Sequence, residues 1–187
     1  MQKQNKDIPV LGVIAPAAEA AAAVSQNGKI ALMATEATVR SGEYVRLLKK
    51  LRPDAEIVAL GCPKLVPLIE SGHISAGDEL INEALDEYLR TFNEVGVDTV
   101  ILGCTHYPLI APLVQAKMGE GVTLIDSGGV SAGALVKRLE ESDALTDSQN
   151  AGKAVFCCSA KKEDFARVAE IFLGRDISES LSQVDLS

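Results

Sequence analysis

Near the middle of the chain, the stretch Val97–Ile110 (VDTVILGCTHYPLI) ends a short apolar run in Gly103, Cys104, Thr105 and His106, with Pro108 two residues on. A thiol, a hydroxyl and an imidazole in succession supply an acid–base or nucleophilic group, a hydrogen-bonding group and a proton acceptor. Gly103 permits a sharp turn and close backbone approach. A cysteine that opens a helix beside an imidazole tends toward thiolate, the reactive form. The same letters also suit a buried structural thiol, a capping threonine and a hydrogen-bonded histidine. Adjacent residues do not share a face, so local spacing leaves both readings open.

Three other places hold comparable groups. Thr35 and Thr38 lie three residues apart in TEATVRSG (35–42), where a strand gives way to a helix. Thr38 or Ser41 would cap that helix, or the tip would bind an anion through free N–H groups and the positive dipole end. Cys62 precedes Pro63 and reads as a small buried apolar residue. Glu70, at the end of the same segment, reads on its own as a solvated helix end. Asp126 and Ser127 open a turn that lacks the fuller glycine-rich nucleotide fingerprint, and read as helix caps. Cys157 and Cys158 should face opposite sides of a strand, both as packing residues.

The elements that must carry these groups follow from hydrophobic patterning. Apolar, β-branched runs predict strands at Ile8–Ile14, Lys29–Thr35, Ala55–Gly61, Asp98–Gly103, Val122–Asp126 and Lys153–Ser159. Between them, Ala17–Val24, Gly42–Leu51, Ser75–Asn93, Leu109–Met118, Ser131–Glu141 and Glu163–Phe172 carry helical spacing. The segment Glu140–Gly152 is polar and turn-rich, a surface connection, and the tail Asp176–Ser187 is polar and expected to be loosely ordered. Strand–helix alternation predicts the α/β class with parallel sheets, in which ligands bind beyond the carboxyl ends of the strands. The candidate groups fall at those ends.

Composition narrows the function classes. The 187 residues are 47% hydrophobic with no Trp, so aliphatic side chains must fill the core. A formal charge of −8 argues against a nucleic-acid surface. The leading MQKQNKD is polar and the apolar run after it is short, so no signal core, no membrane span and a cytoplasmic location are expected. The four cysteines are then expected as thiols. They form no CxxC pair, and with two histidines the ligand spacing of a structural zinc site is missing.

Taken together, the strand tips resemble those of glutamate racemases, in the cofactor-independent aspartate/glutamate racemase superfamily. The match is carried by IPVLGVI (Ile8–Ile14), ATEATVRSGEY (Ala34–Tyr44), CPKLVPLIESG (Cys62–Gly72), ILGCTHYPLI (Ile101–Ile110) and LIDSG (Leu124–Gly128), in the family's order and approximate spacing. The resemblance implies a two-lobed, parallel-sheet α/β fold and interconversion of L- and D-glutamate for peptidoglycan biosynthesis. It implies two thiols on opposite faces of the substrate's α-carbon, one removing a proton and the other returning one, with no cofactor or metal. Thiols suit this work because neighbours can tune their pKa toward working pH. By the same resemblance Cys104 is the second of the two proton-transfer cysteines, His106 supports it, and Glu70 lies close to that histidine. Thr105, Thr35 and Thr38 would contact the substrate, with the latter two near its carboxylate. A homodimer is the implied assembly.

The resemblance also carries a departure. The family opens with an Asp-Ser-Gly turn and a Cys-Asn-Thr tip that holds the first catalytic cysteine, and neither stands upstream here. The chain therefore looks like a family member without roughly its first third. Residues 17–125 would form a complete second lobe, and 1–16 with 126–187 the remainder of the first. With one of two thiols, such a chain is expected to be inactive alone. Two alternatives stay open: a racemase for aspartate or another amino acid, or a non-catalytic fragment that pairs with a complementary chain.

Overall fold

In the computed structural model, residues 9–148, 150 and 152–185 are described. They divide into two compact units: residues 9–69 with His73–Leu145, and Glu70–Gly72 with the segment from Thr146 on.

The first unit is built on a four-stranded parallel sheet. Its strands are β1 (Lys29–Ala34), β2 (Glu56–Gly61), β3 (Thr99–Gly103) and β4 (Thr123–Asp126), in the order β2-β1-β3-β4. Side chains alternate across β1, as strand pleating requires. Ile30, Leu32 and Ala34 join one buried cluster, and Ala31 and Met33 the other. On the first side the cluster takes in Ala17, Ala18 and Ala21 of α1 (Ile14–Val24) and Tyr44 and Leu48 of α3 (Glu43–Leu51). On the second it takes in α4 (Leu65–Glu70), the apolar face of α5 (Glu79–Val95) and α6 (Ala111–Met118). The all-alanine face of α1 suits its place: small side chains let a helix lie close to the sheet and to its neighbours.

Local chemistry sets the element ends. Asp78 caps α5, accepting from the amides of Leu80 and Ile81, and Gly96 ends it in a left-handed conformation (φ 72°). Below the sheet, Asp98 accepts from the Ser25 and Thr99 hydroxyls (2.7 and 2.8 Å) and from the amides of Gln26 and Asn27 (both 2.6 Å). One carboxylate thus ties the loop that feeds β1 to the start of β3. Its burial opposes ionisation, but the four donors outweigh that and hold it below the usual carboxylate range.

The second unit contains β5 (Phe156–Cys158) and β6 (Leu181–Gln183), paired in parallel, with α8 (Lys162–Leu173). Cys158, Ala166 and Leu181 form its small buried cluster.

The α/β class and parallel pairing agree with the sequence reading, and several particulars differ. No strand forms over Pro9–Ile14: residues 9–12 are irregular and Ile14 already opens α1, while Ile8 lies outside the described residues, as does the polar leader of residues 1–7. Pro9 has no N–H for a ladder, and Pro16 sits in the first helical turn, where the missing N–H is unneeded. The tail is not loose up to Asp185: Ile177 and Leu181 are buried, and β6 pairs with β5. Cys157 and Cys158 do face opposite ways, but Cys157 is exposed and is not a packing residue. Two six-residue helices, α2 (Glu36–Ser41) and α4, were below the length at which periodicity shows.

Candidate functional site

Strand register assembles the tips. Ala34 pairs with Gly61 on one side and Gly103 on the other, so Thr35, Cys62 and Cys104 each stand one residue beyond a paired position at the carboxyl edge. Gly103 is required there by space. A Cβ on it would lie 2.7 Å from Leu32 Cδ1 and 3.0 Å from Ala34 Cβ, well inside contact distance. The chain then turns through Cys104–His106 into a 3-10 turn (Tyr107–Ile110) that leads into α6.

Cys104 and His106 are half-buried, and the Cys104 sulfur lies 3.8 Å from His106 Nδ1. The exposed Thr105 hydroxyl lies 3.3 Å from the same nitrogen. Thiol, hydroxyl and imidazole thus meet around one ring atom, an arrangement that can stabilise a thiolate or pass it a proton. Behind them Tyr107 is fully buried and donates to the Cys62 carbonyl (3.3 Å), which braces the turn against the tip of β2. Burial pushes the Tyr107 phenol well above its ordinary range.

Thr35 caps α2: its hydroxyl accepts from the Thr38 amide (3.2 Å) and lies 2.9 Å from the Thr38 hydroxyl. The capping residue is therefore Thr35, not Thr38 or Ser41. Two hydroxyl protons serve one shared contact, so one remains for an outside acceptor. Cys62 is buried as expected, its thiol pushed up to about 12 by desolvation. It is an inert packing group at neutral pH. No disulfide joins Cys62, Cys104, Cys157 and Cys158, all of them described. Glu70 ends α4, and the 70–72 turn groups with the second unit. Asp126 caps α7 (Ser127–Glu141), accepting from the Gly128 amide at 2.9 Å, as the sequence led one to expect.

A cavity of about 170 Å³ opens beside the thiol. Its wall includes Cys104 and Thr105, but also Tyr44, Asp126 and Ser127. Thr35 and Thr38 do not line it. Neither Tyr44 nor Ser127 was expected at the site, Ser127 having read as a helix cap. They are 83 residues apart, and only the end of the TEATVRSGEY segment and the turn after β4 could have drawn notice. Among the described residues no three His, Cys, Asp or Glu side chains gather as a metal site would need, and no helix is long and apolar enough to cross a membrane.

Residues 1–135 match the family model described as Asp/Glu/Hydantoin racemase. The glutamate racemase of Geobacter metallireducens is 36% identical over 177 residues, which cover 95% of this chain and 65% of that protein. Glutamate racemase isoform RacE1 from Bacillus anthracis superposes with a TM-score of 0.90 at 33% identity, over 98% of this chain and 67% of its own. The Francisella tularensis glutamate racemase, solved in complex with D-glutamate, superposes with a TM-score of 0.87 at 28% identity, over 100% of this chain and 67% of its own. The chain thus spans about two thirds of the length of these relatives.

Proposed function

The chain belongs to the Asp/Glu/hydantoin racemase family, and from that premise we propose that its strand tips are one side of a site that interconverts L- and D-glutamate by proton transfer at the α-carbon. The observation that carries the reading is the 3.8 Å approach of the Cys104 sulfur to His106 Nδ1, at the carboxyl edge of a parallel sheet. The imidazole N–H stabilises the thiolate that removes the α-proton, and the neutral thiol returns one in the reverse direction. Thr105 binds the substrate next to the sulfur. Thr35 and Thr38 offer their spare hydroxyl proton to its carboxylate. Glu70 takes part through His106. Residues 17–125 form the lobe that carries these groups, and 1–16 with 126–187 belong to the other. No cofactor is required, because both steps exchange a proton only.

Racemisation needs an acid and a base on opposite faces of one carbon. Cys62 does not serve as the second, since at 1% exposure its thiol is closed to substrate. A polypeptide of these 187 residues alone is therefore inactive, and catalysis needs a second thiol supplied across the substrate. The relatives' names favour glutamate over aspartate.

The substrate reading is tested with a hybrid in which the leading third of the Geobacter metallireducens relative precedes this chain. L-Glutamate and L-aspartate are followed by loss of optical rotation. Faster turnover of glutamate supports the proposal, and a preference for aspartate would replace it with an aspartate racemase.

A further inference from the structure

The cavity wall facing Cys104 contains a hydrogen-bond chain whose direction can be assigned. Ser127, the first residue of α7, donates its hydroxyl proton to the carbonyl of Leu102 (2.8 Å), an acceptor that cannot donate in return. Serine has one hydroxyl proton. The 3.2 Å contact between the Tyr44 and Ser127 hydroxyls must then be donated by Tyr44. The order is Tyr44 O–H to Ser127 Oγ, and Ser127 O–H to Leu102 O. Tyr44 comes from α3, Ser127 from α7, and Leu102 lies in β3 two residues before Cys104.

We propose that Tyr44 and Ser127 form a directional relay that holds the tip of β3, and with it the Cys104 sulfur, in place beside His106. Tyr44 is a positioning residue for the proposed proton transfer. Its significance for catalysis rests on the reading of Cys104 given above, but its test does not. Tyr44 is 2% exposed and Leu102 1% exposed, so neither partner can be replaced by water without rearrangement. Burial also raises the Tyr44 pKa, which keeps the donor proton in place across the working range. Titratable groups about the sulfur include His106 beside it and Tyr44 and Asp126 in the cavity wall, with the buried Cys62 and Tyr107 both kept protonated by desolvation.

The test is alkylation of the 187-residue chain by iodoacetamide, followed at each cysteine by peptide mass spectrometry from about pH 6 to about pH 10, where thiols titrate. The chain supplies its own controls. Exposed Cys157 normalises reagent, and buried Cys62 reports general opening. Tyr44→Phe and Ser127→Ala each let the sulfur drift from the imidazole. Each is expected to raise the Cys104 midpoint by about half a pH unit, a roughly threefold loss of thiolate at fixed pH below it. Ser127→Thr keeps the hydroxyl and should restore the wild-type midpoint. The double variant should match either single one, because the two groups act in series.

An unmoved Cys104 midpoint, additive effects in the double variant, or a shift that comes only with a newly reactive Cys62 would each overturn the relay. Should Tyr44→Phe fail to fold, Ser127→Ala against Ser127→Thr carries the same test. Alkylation does not read turnover, so any of these failures leaves the racemase reading intact. Conversely, an inactive hybrid with the relay shifts observed would count against that reading alone.

Discussion

Nδ1 of His106 stands 3.8 Å from the sulfur of Cys104 and 3.3 Å from the hydroxyl of Thr105. One ring nitrogen therefore serves both side chains that precede it, in a turn held from below by buried Tyr107. An imidazole N–H or imidazolium at that position favours the thiolate over the thiol. Replacing His106 with Ala is expected to raise the pH midpoint for Cys104 alkylation by about one unit, which leaves roughly tenfold less thiolate below it. The exposed Cys157 measured in the same digest should not move. An unchanged Cys104 midpoint would remove the imidazole from the thiol's chemistry.

Gly103 sets the position from which that turn departs. Adding a methyl group brings it to 2.7 Å from Leu32 Cδ1 and 3.0 Å from Ala34 Cβ, so β1 and β3 must separate or the tip must shift. Gly103→Ala should cost about 1–3 kcal/mol of stability, the usual penalty of overpacking. Urea denaturation measures that cost directly. A variant as stable as the parent would show that the strand tips yield easily, against the account of a rigid edge.

Asp98 gives the fold a defined acid limit. Its folded-state pKa lies below its unfolded value, so the stabilisation is complete above the unfolded value and is lost as pH falls through the folded one. Asp98→Asn should lower stability by about 1–3 kcal/mol at neutral pH, where the carboxylate would have accepted four hydrogen bonds. At acid pH, once the parent's carboxylate has itself protonated, the gap between the two proteins should close. Urea midpoints at the two pH values decide it. A gap that persists at low pH would assign the effect to geometry rather than charge.

How much of this could be read from the letters depended on whether a signal was local. Five of the six expected strands form: Lys153–Ser159 holds β5, and Lys29–Thr35, Ala55–Gly61, Asp98–Gly103 and Val122–Asp126 were legible because aliphatic runs of that length in a sheet covered on both faces have few other fates. Ile8–Ile14 has the same texture, yet its described part is irregular chain and helix. An apolar run becomes a strand only where a ladder partner exists, and apart from Pro9, which lacks an N–H, no letter in the run bears on that. The short helices α2 and α4 hold too few turns for periodicity to speak. At the site, the Cys104–His106 turn stood out because its three groups are contiguous. The Tyr44–Ser127 contact could not, since tertiary packing alone joins residues 83 apart. Thr35 and Thr38 were visible as a hydroxyl pair, and which of them caps the helix was decided by where β1 stops, one residue earlier than the apolar run suggested.

The central claim is that Cys104 is one of two proton-transfer thiols, and that these 187 residues hold only one of them in working form. The measurement is L-glutamate racemisation, read as loss of optical rotation, by the 187-residue chain, by the hybrid carrying the leading third of a relative, and by the hybrid with Cys104→Ala. The account predicts no turnover by the chain alone, turnover by the hybrid, and a loss of about 10²–10⁴-fold or more on removing the Cys104 thiol, the scale of one acid–base group. A hybrid that racemises glutamate equally well with Ala at position 104 would contradict it.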